Sequence, residues 1–166
     1  MTHSKLLVTG GKGLVGSAID ADIKLGREWD LTNSVVTTSV FERHKPTHVI
    51  HCAGKVGGLG GNMKYKGEYL YDNVMINTNV IESARLAGVT NLVSFLSTCV
   101  FPDNIEYPLT EKKIHLGEPH FSNYPYAYAK RIADIQIRAY REQYGVKYTS
   151  VIPCNCLLYT SDAADE

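Results

Sequence analysis

A parallel α/β sheet flanked by helices on both faces is the fold predicted by this sequence of 166 residues. Three observations carry the prediction. Short apolar runs alternate with stretches of helical spacing. A glycine-rich turn, Thr9-Gly10-Gly11-Lys12-Gly13-Leu14-Val15-Gly16, follows the first apolar run. Tyr126 and Lys130 stand four residues apart in a late helical stretch, downstream of Ser97 at the end of another apolar run.

Taken in order, Lys5 to Thr9 reads as a buried strand, and the glycine turn opens a helix from about Leu14. The next stretch is thin. Asp22 to Gly26 is either a short strand or irregular chain, with little room for a full helix before Asp30-Leu31. Thr47 to Ala53 is a further strand. Tyr69 to Ala87 places Leu70, Val74, Ile76, Val80, Ile81 and Ala84 near helical spacing, and Gly88 supplies the stop. Asn91 to Ser97 is a strand, Tyr126 to Tyr144 a helix ended by Gly145, and Tyr148 to Ile152 a strand halted by Pro153.

Composition narrows the function. Seventeen basic residues balance seventeen acidic ones, so no charge excess points to nucleic acid or a membrane surface. No apolar run approaches the roughly 18 residues that span a bilayer, and the N-terminus carries no signal-peptide pattern. Cys52, Cys99, Cys154 and Cys156 are few and unevenly spaced, which reads as reduced thiols in a cytoplasmic protein. Cys154-x-Cys156 lacks a second ligand pair, so no metal site is expected.

Gly10, Gly13 and Gly16 have the spacing of a dinucleotide cradle. The first permits a tight turn, the second lets backbone approach pyrophosphate, and the third lets a helix pack on a strand. The helix start offers N–H groups to phosphate. A lone glycine turn is weak evidence, but strand before and helix after make this a Rossmann-like nucleotide site. Lys12 and Arg27 favour the 2′-phosphate of NADP, and Asp30 is the acidic counter-candidate for NAD.

Tyr126 and Lys130 share a helix face. A nearby ammonium is expected to lower the tyrosine pKa, so that the phenol can give a proton to a carbonyl oxygen as hydride reaches its carbon. Ser97 can hydrogen-bond that oxygen. An isolated Tyr-x-x-x-Lys is more often packing; the upstream serine and glycine turn make this one catalytic. Tyr124 and Tyr128 read as packing or substrate-wall aromatics.

These residues resemble the GDP-L-fucose synthase family of extended short-chain dehydrogenases/reductases. The resemblance rests on Val8 to Ile19, Lys55-Val-Gly-Gly-Leu59, Leu96-Ser-Thr-Cys-Val-Phe-Pro102, Pro125 to Lys130 and Tyr148 to Pro153, and runs from Lys5 to Asn155. It implies an NADPH-dependent enzyme that epimerises C3 and C5 of a GDP-linked keto sugar and then reduces C4. It makes Tyr126 the reductase acid, Lys130 its partner at the nicotinamide ribose, and Ser97 the carbonyl-binding serine. Cys99 becomes the epimerisation acid/base, although a buried cysteine is ordinarily a packing residue. The implied cofactor set is Gly10, Gly11, Lys12, Gly13, Leu14, Val15 and Gly16, with Arg27 and Leu31, Phe95 to Thr98, Lys130, Pro153 and Asn155. His115 and His120 match no catalytic position and read as loop residues. The family is also expected to dimerise through helices near 69–87 and 126–144.

After Asn155 the text leaves the family pattern. Residues 156–166 resemble the translation of a sequencing-library adapter and read as a non-native read-through tail. On this reading residues 1–155 are an incomplete NADP-binding domain, truncated before a C-terminal substrate domain. The alternatives are another nucleotide-sugar epimerase or dehydratase on the same scaffold, against which Cys99 discriminates because simple 4-epimerases lack an acid/base thiol after the serine, and a non-catalytic NADP-binding fragment.

Overall fold

The computed structural model describes residues 4–154. Five parallel strands, β1 (Leu6–Thr9), β2 (Ile23–Leu25), β3 (His48–His51), β4 (Asn91–Phe95) and β5 (Lys147–Val151), lie in the order β2-β1-β3-β4-β5. The thin stretch after the glycine turn therefore resolves as a short edge strand. The helices are α1 (Leu14–Ser17), α2 (Ser34–His44), α3 (Gly58–Lys64), α4 (Lys66–Leu86) and α5 (Tyr124–Tyr144). Gly88 and Gly145, at φ 74° and 67°, stand just past α4 and α5 as their positions in the sequence predict.

Register sorts the strand residues by face. Ile23, Leu7, Val49, Leu92 and Tyr148 form one row, and Leu25, Thr9, His51, Ser94 and Ser150 the next, on the same face. The first row is the apolar floor of the core, beneath Val40 and Phe41 of α2, Val80, Ile81 and Ala84 of α4, and Ala133 and Ile137 of α5. Apart from Leu25, the second row is polar, and it lies toward the carboxyl edge of the sheet, where ligands bind in open parallel sheets.

The two faces are covered very unequally. Helices α2, α4 and α5 form one continuous layer, α2 on α4 and α4 on α5. The other face carries Val8, Ile50, Val93 and Thr149 in one row. Its helix is α1, a single turn whose Ser17 carbonyl accepts the Lys24 ammonium at 2.9 Å. Residues 10–22 are all the chain there is between β1 and β2, too short for a helix that spans the sheet. Ile50, Val93 and Phe95 are consequently only half-buried, whereas parallel sheets are normally covered on both sides.

Helix α2 has no apolar period to announce it. Its first half, Ser34-Val-Val-Thr-Thr, is rich in the β-branched residues that favour strands. Two tertiary facts override that preference. The Asn33 side chain accepts from the Val35 and Val36 N–H groups, and Val40 and Phe41 are fully buried, contributing on the order of 3–6 kcal/mol together.

Candidate active site

The glycine turn sits at the carboxyl end of β1. Gly10 has φ 68°, and a Cβ there would lie 2.8 Å from the Ala53 nitrogen, beyond the end of β3. The Gly11 N–H donates to the Leu25 carbonyl at 2.7 Å, and the Gly13 N–H to the Gly10 carbonyl at 2.9 Å. A Cβ on Gly16 would overlap the Gly10 carbonyl oxygen. Only glycine fits at both ends, so the residues present suit a backbone cradle for a dinucleotide. The first turn of α1 keeps N–H groups that no carbonyl of its own helix can reach. A one-turn helix has little macrodipole, so what the turn can offer a phosphate is these N–H groups, with the Lys12 ammonium nearby.

Lys12 is engaged. Its ammonium lies 2.9 Å from a Glu28 carboxylate oxygen, and the other oxygen accepts the Gly26 N–H at 3.2 Å. The Lys12 bond holds the Glu28 carboxyl below its ordinary range. Glu28, not Asp30, is thus the carboxylate beside the turn. Asp30 accepts from both the N–H and the hydroxyl of Thr32. Arg27 is exposed. The Leu31 side chain belongs to the core, and its carbonyl accepts from Thr37 and Asn79.

The second half of the site follows β4. The chain leaves the sheet at Phe95, passes Leu96, which is buried, and enters a 3-10 turn over Thr98–Val100. The Ser97 hydroxyl caps that turn by accepting the Cys99 N–H at 3.4 Å. Two consecutive residues of α5 hold the segment. The Lys130 ammonium donates to the Phe95 carbonyl at 2.9 Å, and Arg131 Nε donates to the Val100 carbonyl at 2.7 Å. Tyr126 stands one turn before Lys130, whose ammonium is 5.8 Å from the centre of its ring.

The match to family models agrees with this arrangement. Residues 6–163 match the model of the NAD dependent epimerase/dehydratase family. The chain belongs to that family. It is 50% identical to a probable GDP-L-fucose synthase of Drosophila melanogaster over 91% of this chain and 51% of that protein. It is 49% identical to a GDP-L-fucose synthase of Dictyostelium discoideum, over 90% of this chain and 51% of the relative. A GDP-L-fucose synthetase from Naegleria fowleri, solved bound to NADP, superimposes with a TM-score of 0.84 at 44% identity. That match covers 93% of this chain and 55% of the other. The chain therefore spans about half the length of the relatives it matches.

Electrostatics correct one expectation. Lys130 does not lower the Tyr126 pKa here. Burial, and then the neighbouring Cys99, raise it above the ordinary phenol value. Burial pulls Lys130 down to about 8, partly opposed by Cys99 and Cys52. The Cys99 thiol is raised by burial, against the lowering influence of the Ser97 hydroxyl, Lys130 and Arg131. The resting site holds a neutral phenol, the form that can give a proton, and a neutral thiol, which must lose its proton before it can act as a base.

The structure places Ser97, Cys99, Tyr126 and Lys130 near one another. Phe95 is half-buried beside them, its carbonyl held by Lys130. Pro153 follows β5 and is exposed, and Asn155 lies outside the described residues, as does the tail from 156. Leu14 and Val15 are exposed on the turn. Tyr124 and Tyr128 meet edge to face at 6.4 Å, both partly exposed. His115 meets Asp134 and Arg138, and His120 meets Ser122, all by hydrogen bonds outside the Tyr126 cluster.

Sequence reasoning missed a polar support beneath the site. His51 is fully buried and neutral, its pKa pushed down to about 3 by burial and then by Lys130, against the Asn77 bond. Its Nε2 donates to Asn77 Oδ1 at 3.0 Å, and Nδ1 accepts from the Thr9 hydroxyl at 2.7 Å. Asn77 Nδ2 donates to the Ala129 carbonyl, next to Lys130. Asn73, one turn earlier on α4, clasps both the N–H and the carbonyl of Lys55. Asn73 and Asn77, four apart on the face of α4 that also buries Val80 and Ala84, were the available signal. A polar residue repeated on a buried helix stripe needs a partner. Leu70, assigned to that stripe by its spacing, instead faces outward.

Proposed function

We propose that these residues form the NADP-binding half of an enzyme that converts GDP-4-keto-6-deoxy-D-mannose to GDP-L-fucose, by epimerisation at C3 and C5 and reduction at C4. The observation that carries this reading is the short turn that sets Ser97 and Cys99 against Tyr126 and Lys130. A simple 4-epimerase needs the serine, tyrosine and lysine but has no use for an acid/base thiol beside them.

In this reading bound NADPH supplies the hydride for C4. The glycine turn would hold its pyrophosphate, Lys12 its 2′-phosphate and Lys130 its nicotinamide ribose. Ser97 donates a hydrogen bond to the 4-keto oxygen, which polarises the carbonyl and acidifies the protons at C3 and C5. Cys99, once deprotonated, removes such a proton from one face of the sugar, and a second acid/base returns a proton to the opposite face, which inverts the centre. Tyr126 gives its hydroxyl proton to O4 as the hydride arrives at C4. The sugar contacts and the second acid/base belong to the half that the relatives carry beyond this span, so the 166-residue chain by itself is read as inactive. The setting is cytoplasmic. The working form is a homodimer packed through the outer faces of α4 and α5, where Leu70, Tyr71, Ile132 and Ile135 are exposed.

The test is turnover by a full-length protein containing these residues. Mixed with GDP-4-keto-6-deoxymannose and NADPH, it should consume NADPH, followed at 340 nm, and release GDP-fucose. Consumption of NADPH with formation of only the unepimerised 4-hydroxy sugar would leave a plain reductase and overturn the proposal.

A further inference from the structure

We propose that Arg131 is a positioning residue for the site thiol: together with Lys130 it clamps both ends of the Phe95–Val100 segment and fixes where Cys99 stands against Tyr126. The proposal rests on the assignment of Cys99 as the acid/base group.

Lys130 and Arg131 diverge by one helical step, and each takes a backbone carbonyl at opposite ends of the same six-residue segment. Between those carbonyls stand Ser97, Thr98 and Cys99. Ser97 secures the start of the 3-10 turn through the Cys99 N–H, and Arg131 secures its end through the Val100 carbonyl. Arg131 also reaches the Gly117 carbonyl through Nη1 at 2.8 Å, tying the turn to the loop that precedes α5. A planar fork of donors can hold two carbonyls in fixed directions at once, which a lysine cannot.

Arg131 carries a full charge for this task while only 5% exposed. Its Nη2 is buried with no hydrogen-bond partner among the described residues. Burial of a cation with one nitrogen unsatisfied is costly, and a neutral side chain of similar length would fill the space more cheaply. The Tyr128 ring, 5.3 Å from the guanidinium carbon, covers it. Among the described residues, the charges that bear on Cys99 are Lys130 and Arg131, both on α5, and the neutral Tyr126 phenol of the same helix stands beside the thiol. Arg131 therefore acts on the thiol twice, by fixing its backbone and by favouring its thiolate.

The experiment reads the thiol and not turnover, so it separates this proposal from the functional one. The full 166-residue chain is treated with iodoacetamide across a pH series, and modification of Cys99 is followed by site-resolved mass spectrometry. In Arg131→Gln and Arg131→Met the pH midpoint of Cys99 alkylation should rise by about half a unit or more, and the rate at pH 8 should fall about threefold. Arg131→Lys keeps the charge but not the fork, and should restore only part of the rate. A folded neutral variant with an unchanged midpoint overturns the proposal. The parent chain provides an arm that needs no variant. Alkylation of Cys99 should move the Arg131 Nε–H resonance in a 15N spectrum, and an unmoved resonance overturns the proposal even where neither neutral variant folds.

Discussion

The Lys130 ammonium is committed to the Phe95 carbonyl, 2.9 Å away, while it lies 5.8 Å from the centre of the Tyr126 ring. The lysine thus organises the strand end that carries Ser97 and stands over the tyrosine without lowering its pKa, which burial holds high. Its neutral form persists through the neutral range, which suits Tyr126 to the proton-donor role proposed for it. Tyr126→Phe removes that proton with little change in packing. In a full-length enzyme it should slow C4 reduction by about 10²–10⁴-fold. Stopped-flow decay of NADPH absorbance checks this, and an unchanged rate removes Tyr126 from the chemistry.

Cys99 is expected to serve only the proton transfers at C3 and C5. Cys99→Ser keeps the size and the N–H bond to Ser97 but replaces a thiol with a far weaker acid. The full-length variant should lose exchange of the C3 and C5 protons with deuterated water while still oxidising NADPH. Full-rate formation of the fucose product would make Cys99 a packing residue.

The elements of short range were legible in the chain. The strands announce themselves as apolar runs, the glycine turn by spacing, and Tyr126 and Lys130 by sharing a helix face. What could not be read is held by partners remote in sequence. Arg131 meets a carbonyl 31 residues away, and His51 an amide 26 residues away. Neither residue has a local pattern to mark it. Helix α2 was hidden for a related reason, because its β-branched start argues for a strand and only the Asn33 cap and the burial of Phe41 decide otherwise. The one-turn α1 was foreshadowed by the thin stretch after it, but its consequence for the second sheet face appears only in three dimensions.

His51 makes the fold acid-sensitive. Its folded pKa of about 3 lies below the ordinary 6.5, so below pH 6.5 the unfolded chain binds a proton that the folded chain refuses. The contribution of this group is fully present above 6.5 and is lost as pH falls toward 3, at about 1.4 kcal/mol per unit. By pH 5 the loss is about 2 kcal/mol. Urea midpoints at pH 7 and pH 5 should separate more for the parent chain than for His51→Gln, which cannot titrate. Equal separations would show that His51 is not the buried neutral group described.

Lys12 is expected to choose the cofactor, with Glu28 as its competitor. The pair is exposed, so it is worth little as a fold contact and can be broken by a better anion. Lys12→Ala should weaken NADPH binding by about tenfold while leaving NADH within a factor of about two. Glu28→Gln should do the reverse, freeing the ammonium and tightening NADPH. Fluorescence titration with both dinucleotides checks this. Equal losses for NADPH and NADH in Lys12→Ala would move the 2′-phosphate contact to Arg27.

The thinly covered sheet face is expected to govern how the 166-residue chain behaves in solution. Ile50, Val93 and Phe95 are half-buried there, and β5, an edge strand among the described residues, adds an exposed Val151. An apolar face beside an open edge is a template for pairing with another copy. The chain should therefore form species larger than a dimer at concentrations of tens of micromolar, and should bind an apolar dye such as ANS. Dimerisation through α4 and α5 would use the opposite layer and stop at two copies. Val151→Lys places a charge on the open edge without entering the core, and should suppress the larger species while leaving any dimer intact. Sedimentation velocity distinguishes these outcomes. A parent chain that stays monomeric or dimeric at all concentrations, without dye binding, would mean that this face is closed in solution.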